Sequence, residues 1–129
     1  MNCATVTIFG RRLPEQHLPI AELIAGWDFN AYSSDDGVIR ELKRYLLLRK
    51  VLDRPITMES VLLDQAWHLF ILDTVNYRTF CGAVFGAYLD HRSAHFPPDA
   101  ELPKIYETFF GEQLPPVWHV RPNSSVNCA

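Results

Sequence analysis

Between positions 64 and 91 the chain holds Asp64, Trp67, His68, Tyr77, Cys81, Gly86 and His91, a set that includes the side chains from which acid–base and binding sites are built. Asp64 and His68 are four residues apart, one helical turn, where a carboxylate can orient an imidazole and stabilise its charge. Tyr77 and Cys81 repeat that spacing. If both pairs face the seam between two helices, four polar groups converge beside Trp67, and His91 returns after Gly86 to close the ring. The chemistry expected is acid–base catalysis by Asp64, His68, Tyr77 and His91, with Trp67 and Cys81 lining a pocket for a small molecule or peptide.

Each of these residues also has a structural role open to it. Asp64 can cap or salt-bridge, His68 can be a satisfied core histidine, Trp67 and Tyr77 can be core aromatics, and Cys81 can be a small buried hydrophobe. The polar set is then a lock inside a protein-interaction or regulatory module that binds a partner protein. A third alternative is a mononuclear metal site, because His68 and His91 with Asp64 or Asp90 make an acceptable ligand set for zinc or non-haem iron. Neither HExxH nor HxH is present to make that alternative specific, and GxSxG, GxGxxG and phosphate-cradling glycine loops are missing too. His95 lies four residues after His91, but Pro97 and Pro98 disfavour helical register there. His17 and His119 have no polar company in sequence and are expected at the surface.

The elements that must position these residues are mostly helical. Ala4 to Phe9 alternates weakly and reads as a short N-terminal strand or extended arm. Pro19 opens a short helix, Ile20 to Gly26. A longer helix follows, capped by Ser33 or Ser34, favoured by Asp35 and Asp36 at its positive end, and running to about Leu52. Its Arg40, Lys43, Arg44 and Lys50 read as a solvated face. Thr57 is the expected cap of a third, largely buried helix through Leu72, and Thr74 the cap of a fourth that stops at Gly86. Those two form a central antiparallel hairpin. After a loop from Asp90 to Pro98, in which Leu89 and Phe96 anchor the ends, a last helix spans Leu102 to Phe110. Pro115, Pro116 and Trp118 read as an extended C-terminal strap laying a ring on the core. The fold class is therefore all-α, a compact bundle of about five helices forming one domain over residues 1–122, with a disordered tail at 123–129.

A chain of 129 residues with 48% hydrophobic and 21% charged side chains is long enough for one core burying about two-thirds of its unfolded surface. The net charge of −3, with basic residues scattered, speaks against nucleic acid as a partner. No apolar run reaches membrane-spanning length and the first residues lack signal-peptide character, so a cytoplasmic location without membrane attachment is expected. Three cysteines without CxxC spacing argue against a disulfide framework; Cys3 and Cys128 could meet as a terminal bridge, with reduced thiols the favoured state.

The run Arg44 to Leu48, then Asp64 to Thr74, then Tyr77, Cys81, Phe85-Gly86 and His91, resembles the glycine-rich domain-containing protein-like family, small bacterial proteins related to a module of larger plant and fungal proteins. Tyr106, Phe110-Gly111, Pro115-Pro116 and Trp118 resemble that family's closing elements. The resemblance covers Arg44 to Trp118 and implies relatives without implying a reaction. Two departures stand out: Phe70 where members often carry a second histidine, and Asp90-His91 where many carry paired histidines. Both weigh against the metal alternative.

Overall fold

The structure, a computed structural model, describes residues 2–91 and 99–121. Six α-helices follow in order: α1 (Cys3–Phe9), α2 (Leu18–Gly26), α3 (Asp36–Leu52), α4 (Val61–Leu72), α5 (Thr74–Val84) and α6 (Leu102–Phe110), with short 3₁₀ turns at Glu15–His17 and Pro116–His119. The all-α helical bundle expected from the sequence is the fold observed. Among the described residues there is no strand, and no helix is long and apolar enough to cross a membrane. The expected disordered tail, Phe96 and the Cys128 half of the terminal bridge lie outside the described residues.

The expected N-terminal strand is instead α1. Thr5, Val6, Thr7 and Ile8 are β-branched and favour extended backbone. The Asn2 side chain nevertheless caps the Thr5 N–H at 2.8 Å, and helical spacing puts Thr5 and Phe9 together on a fully buried face. Burial overrides propensity here.

α3 is the axis of the bundle. Asp35, not Ser33 or Ser34, caps it by accepting from Gly37 N–H at 2.8 Å and Val38 N–H at 3.3 Å. Every residue from Glu41 to Leu48 is buried, because α1, α2 and α4 all pack around α3. The solvated basic face expected on this helix is therefore corrected at Lys43 and Arg44, which are 5% and 1% exposed. Lys43 Nζ donates to the Ala25 and Trp27 carbonyls at 2.9 and 2.7 Å, satisfying acceptors at the end of α2, with the Phe29 ring 5.1 Å away. Burial pushes the pKa of this lysine down to about 8, against a smaller upward pull from Asp28.

On another side of α3, Glu41 has no solvent exposure and its Oε1 accepts from Tyr106 at 2.6 Å and Trp118 at 2.8 Å. Its Oε2 accepts from Arg40 at 3.0 Å, with Arg44 at 3.6 Å. Arg44 donates to the Ile8 carbonyl at 2.6 Å, to the Tyr106 hydroxyl, and to Glu112 at 3.2–3.3 Å. One buried ionic network thus ties α1, α3, α6 and the C-terminal turn together, with each charge paired as burial demands. The expected strap does lay Trp118 on the core, as a 3₁₀ turn and not as extended chain.

α4 and α5 form the expected hairpin, joined through Asp73 alone. Ser60, not Thr57, caps α4, its hydroxyl accepting from Leu63 N–H at 3.2 Å, while the Val61 N–H is satisfied by the Val120 carbonyl at 2.7 Å. Asp73 occupies the cap position expected for Thr74, and its carboxylate accepts from the Tyr32 hydroxyl at 2.7 Å. Asn76 donates to the same hydroxyl at 2.7 Å and accepts from Trp27 Nε1 at 3.2 Å, so the segment after α2 is tied to the hairpin tip. The expectation that α4 is largely buried is also corrected. Leu63, Ala66, Trp67 and Phe70 form its one buried row, whereas Leu62, Leu69 and Leu72 are 40–62% exposed.

Candidate functional site

Helical geometry puts Asp64 and Trp67 on neighbouring faces of α4 at the edge of its buried row. Gly86 makes the turn that follows α5, with a φ of 73° that a side chain would strain. The segment after it returns over the hairpin and ends on His91. There His91 Nε2 lies 2.5 Å from Asp64 Oδ1, and the imidazole meets the Trp67 ring edge to face at a centroid distance of 4.5 Å. The histidine side chain is 19% exposed and the carboxylate 44%. The contact therefore sits at a rim between core and solvent.

Behind this pair lies the Tyr77 hydroxyl, which accepts from Trp67 Nε1 at 3.2 Å and donates to the Leu89 carbonyl at 2.6 Å. Tyr77 is fully buried, and burial pushes its pKa well above the ordinary tyrosine value. Its one proton is already committed to a backbone acceptor, which disfavours proton transfer to a substrate. The Cys81 thiol is 1% exposed; burial raises its pKa, partly offset by the Leu89 backbone N–H and the Tyr77 hydroxyl that face it. A buried thiol of raised pKa has little nucleophilic character.

The two pairs expected from spacing are thus rearranged. Tyr77 and Cys81 do meet, and Trp67 joins them. Asp64 takes its imidazole from His91, 27 residues away, and not from His68. His68 is exposed and makes no hydrogen bond or ion pair with the described residues. Spacing along α4 places His68 near Asp64 but says nothing of which residue the returning loop delivers. Among the described residues no three His, Cys, Asp or Glu side chains gather as metal ligands, so the expected metal set of His68, His91 and Asp64 is not assembled; Asp90 is exposed. His95 lies outside the described residues.

The polar residues that sequence reasoning passed over are Glu41 on α3 and the set Tyr32, Asp73 and Asn76, while Lys43 and Arg44 were read as solvated and are buried. Glu41 did carry a signal: it stands between Val38, Leu42 and Tyr45 on an apolar helix face, where an acid needs partners. An open depression of about 480 Å³ lined by Pro103, Lys104, Glu107, Gln113, Leu114 and His119 shares no residue with the Asp64 and His91 pair.

A family model described as UCP032817-like matches residues 26–101, more than half of the chain, a span that includes α3, α4, α5, Asp64 and His91. This match overturns the resemblance to the glycine-rich domain-containing protein-like family, to which no finding points. Comparison with curated proteins and with solved structures finds no match.

Proposed function

The chain belongs to the UCP032817-like family, and from that premise we propose that Asp64 and His91 form an acid–base dyad serving a small-molecule or peptide ligand at the rim of the α4 and α5 hairpin. The observation that carries this is the 2.5 Å contact of Asp64 with His91 Nε2, which leaves Nδ1 without a hydrogen-bond partner among the described residues. With the proton on Nε2 pointing at the carboxylate, Nδ1 presents a lone pair and acts as general base. The imidazolium formed when it accepts a proton is stabilised by Asp64. Trp67 offers an aromatic wall. The free thiols Cys3 and Cys81 suit a reducing, cytoplasmic compartment.

The test is a fragment and short-peptide screen by NMR, reading shifts at His91 and Trp67, followed by Asp64→Asn and His91→Ala. The dyad predicts that both substitutions abolish binding while the melting temperature changes little. If both variants unfold and no fragment shifts these resonances, the pair is a structural lock.

A second reading, a protein-interaction module, is favoured by the apolar side chains Leu62, Leu69, Leu72 and Val75, which are 40–69% exposed on the hairpin. Its occupant would be the apolar face of a partner protein's helix. Pull-down of a partner that survives His68→Ala and Asp64→Asn but is lost on Leu69→Asp would support it over the dyad.

A further inference from the structure

The segment that delivers His91 is anchored from α5. Leu89 stands two residues before His91 and gives its carbonyl to the Tyr77 hydroxyl at 2.6 Å. The Tyr77 hydroxyl in turn accepts from Trp67 Nε1 at 3.2 Å, which leaves its single proton directed toward Leu89. Two residues of chain span about 7 Å at most, so little slack separates the anchored carbonyl from the His91 backbone. The imidazole then lands between the Trp67 ring and Asp64.

Resting on the dyad reading of Asp64 and His91, we propose that Tyr77 is the positioning residue of that dyad: its hydroxyl, oriented by Trp67, holds Leu89 and so sets where the His91 imidazole meets the carboxylate. A phenylalanine at this position would keep the ring contacts with Phe70 at 4.9 Å and Tyr88 at 5.3 Å, so the core stacking does not need the hydroxyl. What it would lose is the anchor on Leu89 and the acceptor for Trp67. The Asp64 contact lies at a rim where the carboxylate is 44% exposed, so its occupancy depends on how narrowly the loop confines the imidazole.

The experiment is ¹H–¹⁵N NMR of the full chain labelled at histidine, reading the His91 imidazole N–H and its exchange with water. The wild-type protein should show a protected N–H that Asp64→Asn abolishes. Tyr77→Phe, still folded by circular dichroism, should exchange that proton at least tenfold faster. If the wild-type N–H is protected and Tyr77→Phe leaves it unchanged, the positioning role is overturned while the dyad stands. If no protected N–H exists in the wild-type protein, the dyad itself is overturned, and the positioning role falls with it. Should Tyr77→Phe fail to fold, the Tyr77 hydroxyl proton of the wild-type chain decides, since Trp67 cannot be changed without disturbing the ring that touches His91: hydroxyl exchange at least tenfold faster than that of the His91 N–H overturns the proposal, and exchange as slow as that of the His91 N–H supports it.

Discussion

His91 and Asp64 are hydrogen-bonded at 2.5 Å across 27 residues of chain, while His68, a single turn from Asp64, stays in solvent. Coupling should follow that geometry. In a double-mutant cycle read by urea denaturation, Asp64→Ala and His91→Ala should show a coupling of about 0.5–1 kcal/mol, the size allowed to a partly exposed pair. Asp64→Ala with His68→Ala should be additive within error. Coupling to His68 and not to His91 would overturn the assignment.

The Glu41 network should dominate stability. Glu41→Ala leaves Arg44 short of a counter-charge and orphans the Tyr106 and Trp118 donors, all in places under 4% exposed. Breaking a buried ion cluster from one side costs about 3–5 kcal/mol, which for a domain of this size lowers Tm by roughly 10 °C or more. Tyr106→Phe, which removes one hydroxyl, should cost about 1–3 kcal/mol. Differential scanning calorimetry checks both.

Lys43 should make stability rise with alkaline pH. Its folded pKa, about 8, lies below the ordinary lysine value of 10.5, so between these values the unfolded chain binds the extra proton and folding gains as pH rises. That contribution is complete above the unfolded value and lost as pH falls through 8. Tyr32, Tyr45, Tyr77 and Tyr106 have the opposite sign: burial raises each, so their contribution is present below pH 10 and lost as pH rises past it. Stability should therefore climb from pH 8 and turn over near pH 10. Lys43→Met should remove the climb and leave the turnover, as read from urea midpoints across the range.

The two faces of α4 should respond oppositely to substitution. Leu72, 62% exposed, should accept Leu72→Asp within about 0.5 kcal/mol, whereas Leu63→Ala on the buried row should cost about 2–5 kcal/mol. Equal losses at both would mean that the exposed row is covered in solution by another chain, which size-exclusion chromatography with light scattering would detect.

Much of the fold could be read from local signals. Pro19 and Pro103 in first turns, Gly111 in left-handed conformation after α6, and the apolar period of α3 each act within a few residues, and the helices they mark lie where expected. α1 was not legible, because its β-branched run favours extended chain and only packing of Thr5 and Phe9 against the bundle reverses that preference. Caps were read one to three residues away from where they fell, at Asp35, Ser60 and Asp73, because several polar residues stand at each boundary and local preference ranks them almost equally.

The sequence by itself determined that side chains capable of chemistry cluster between Asp64 and His91, and that Tyr77 and Cys81 share one helix face, since spacing of four places side chains on one face without saying which of them pair. Only tertiary structure decided that Asp64 pairs with His91 and not His68, because that choice depends on the path of a loop held by Tyr77 and Leu89. It also decided that Lys43, Arg44 and Glu41 are interior. A charge on a helix is solvated or buried according to how many neighbours surround the helix, and no period along α3 records that α1, α2 and α4 close around it.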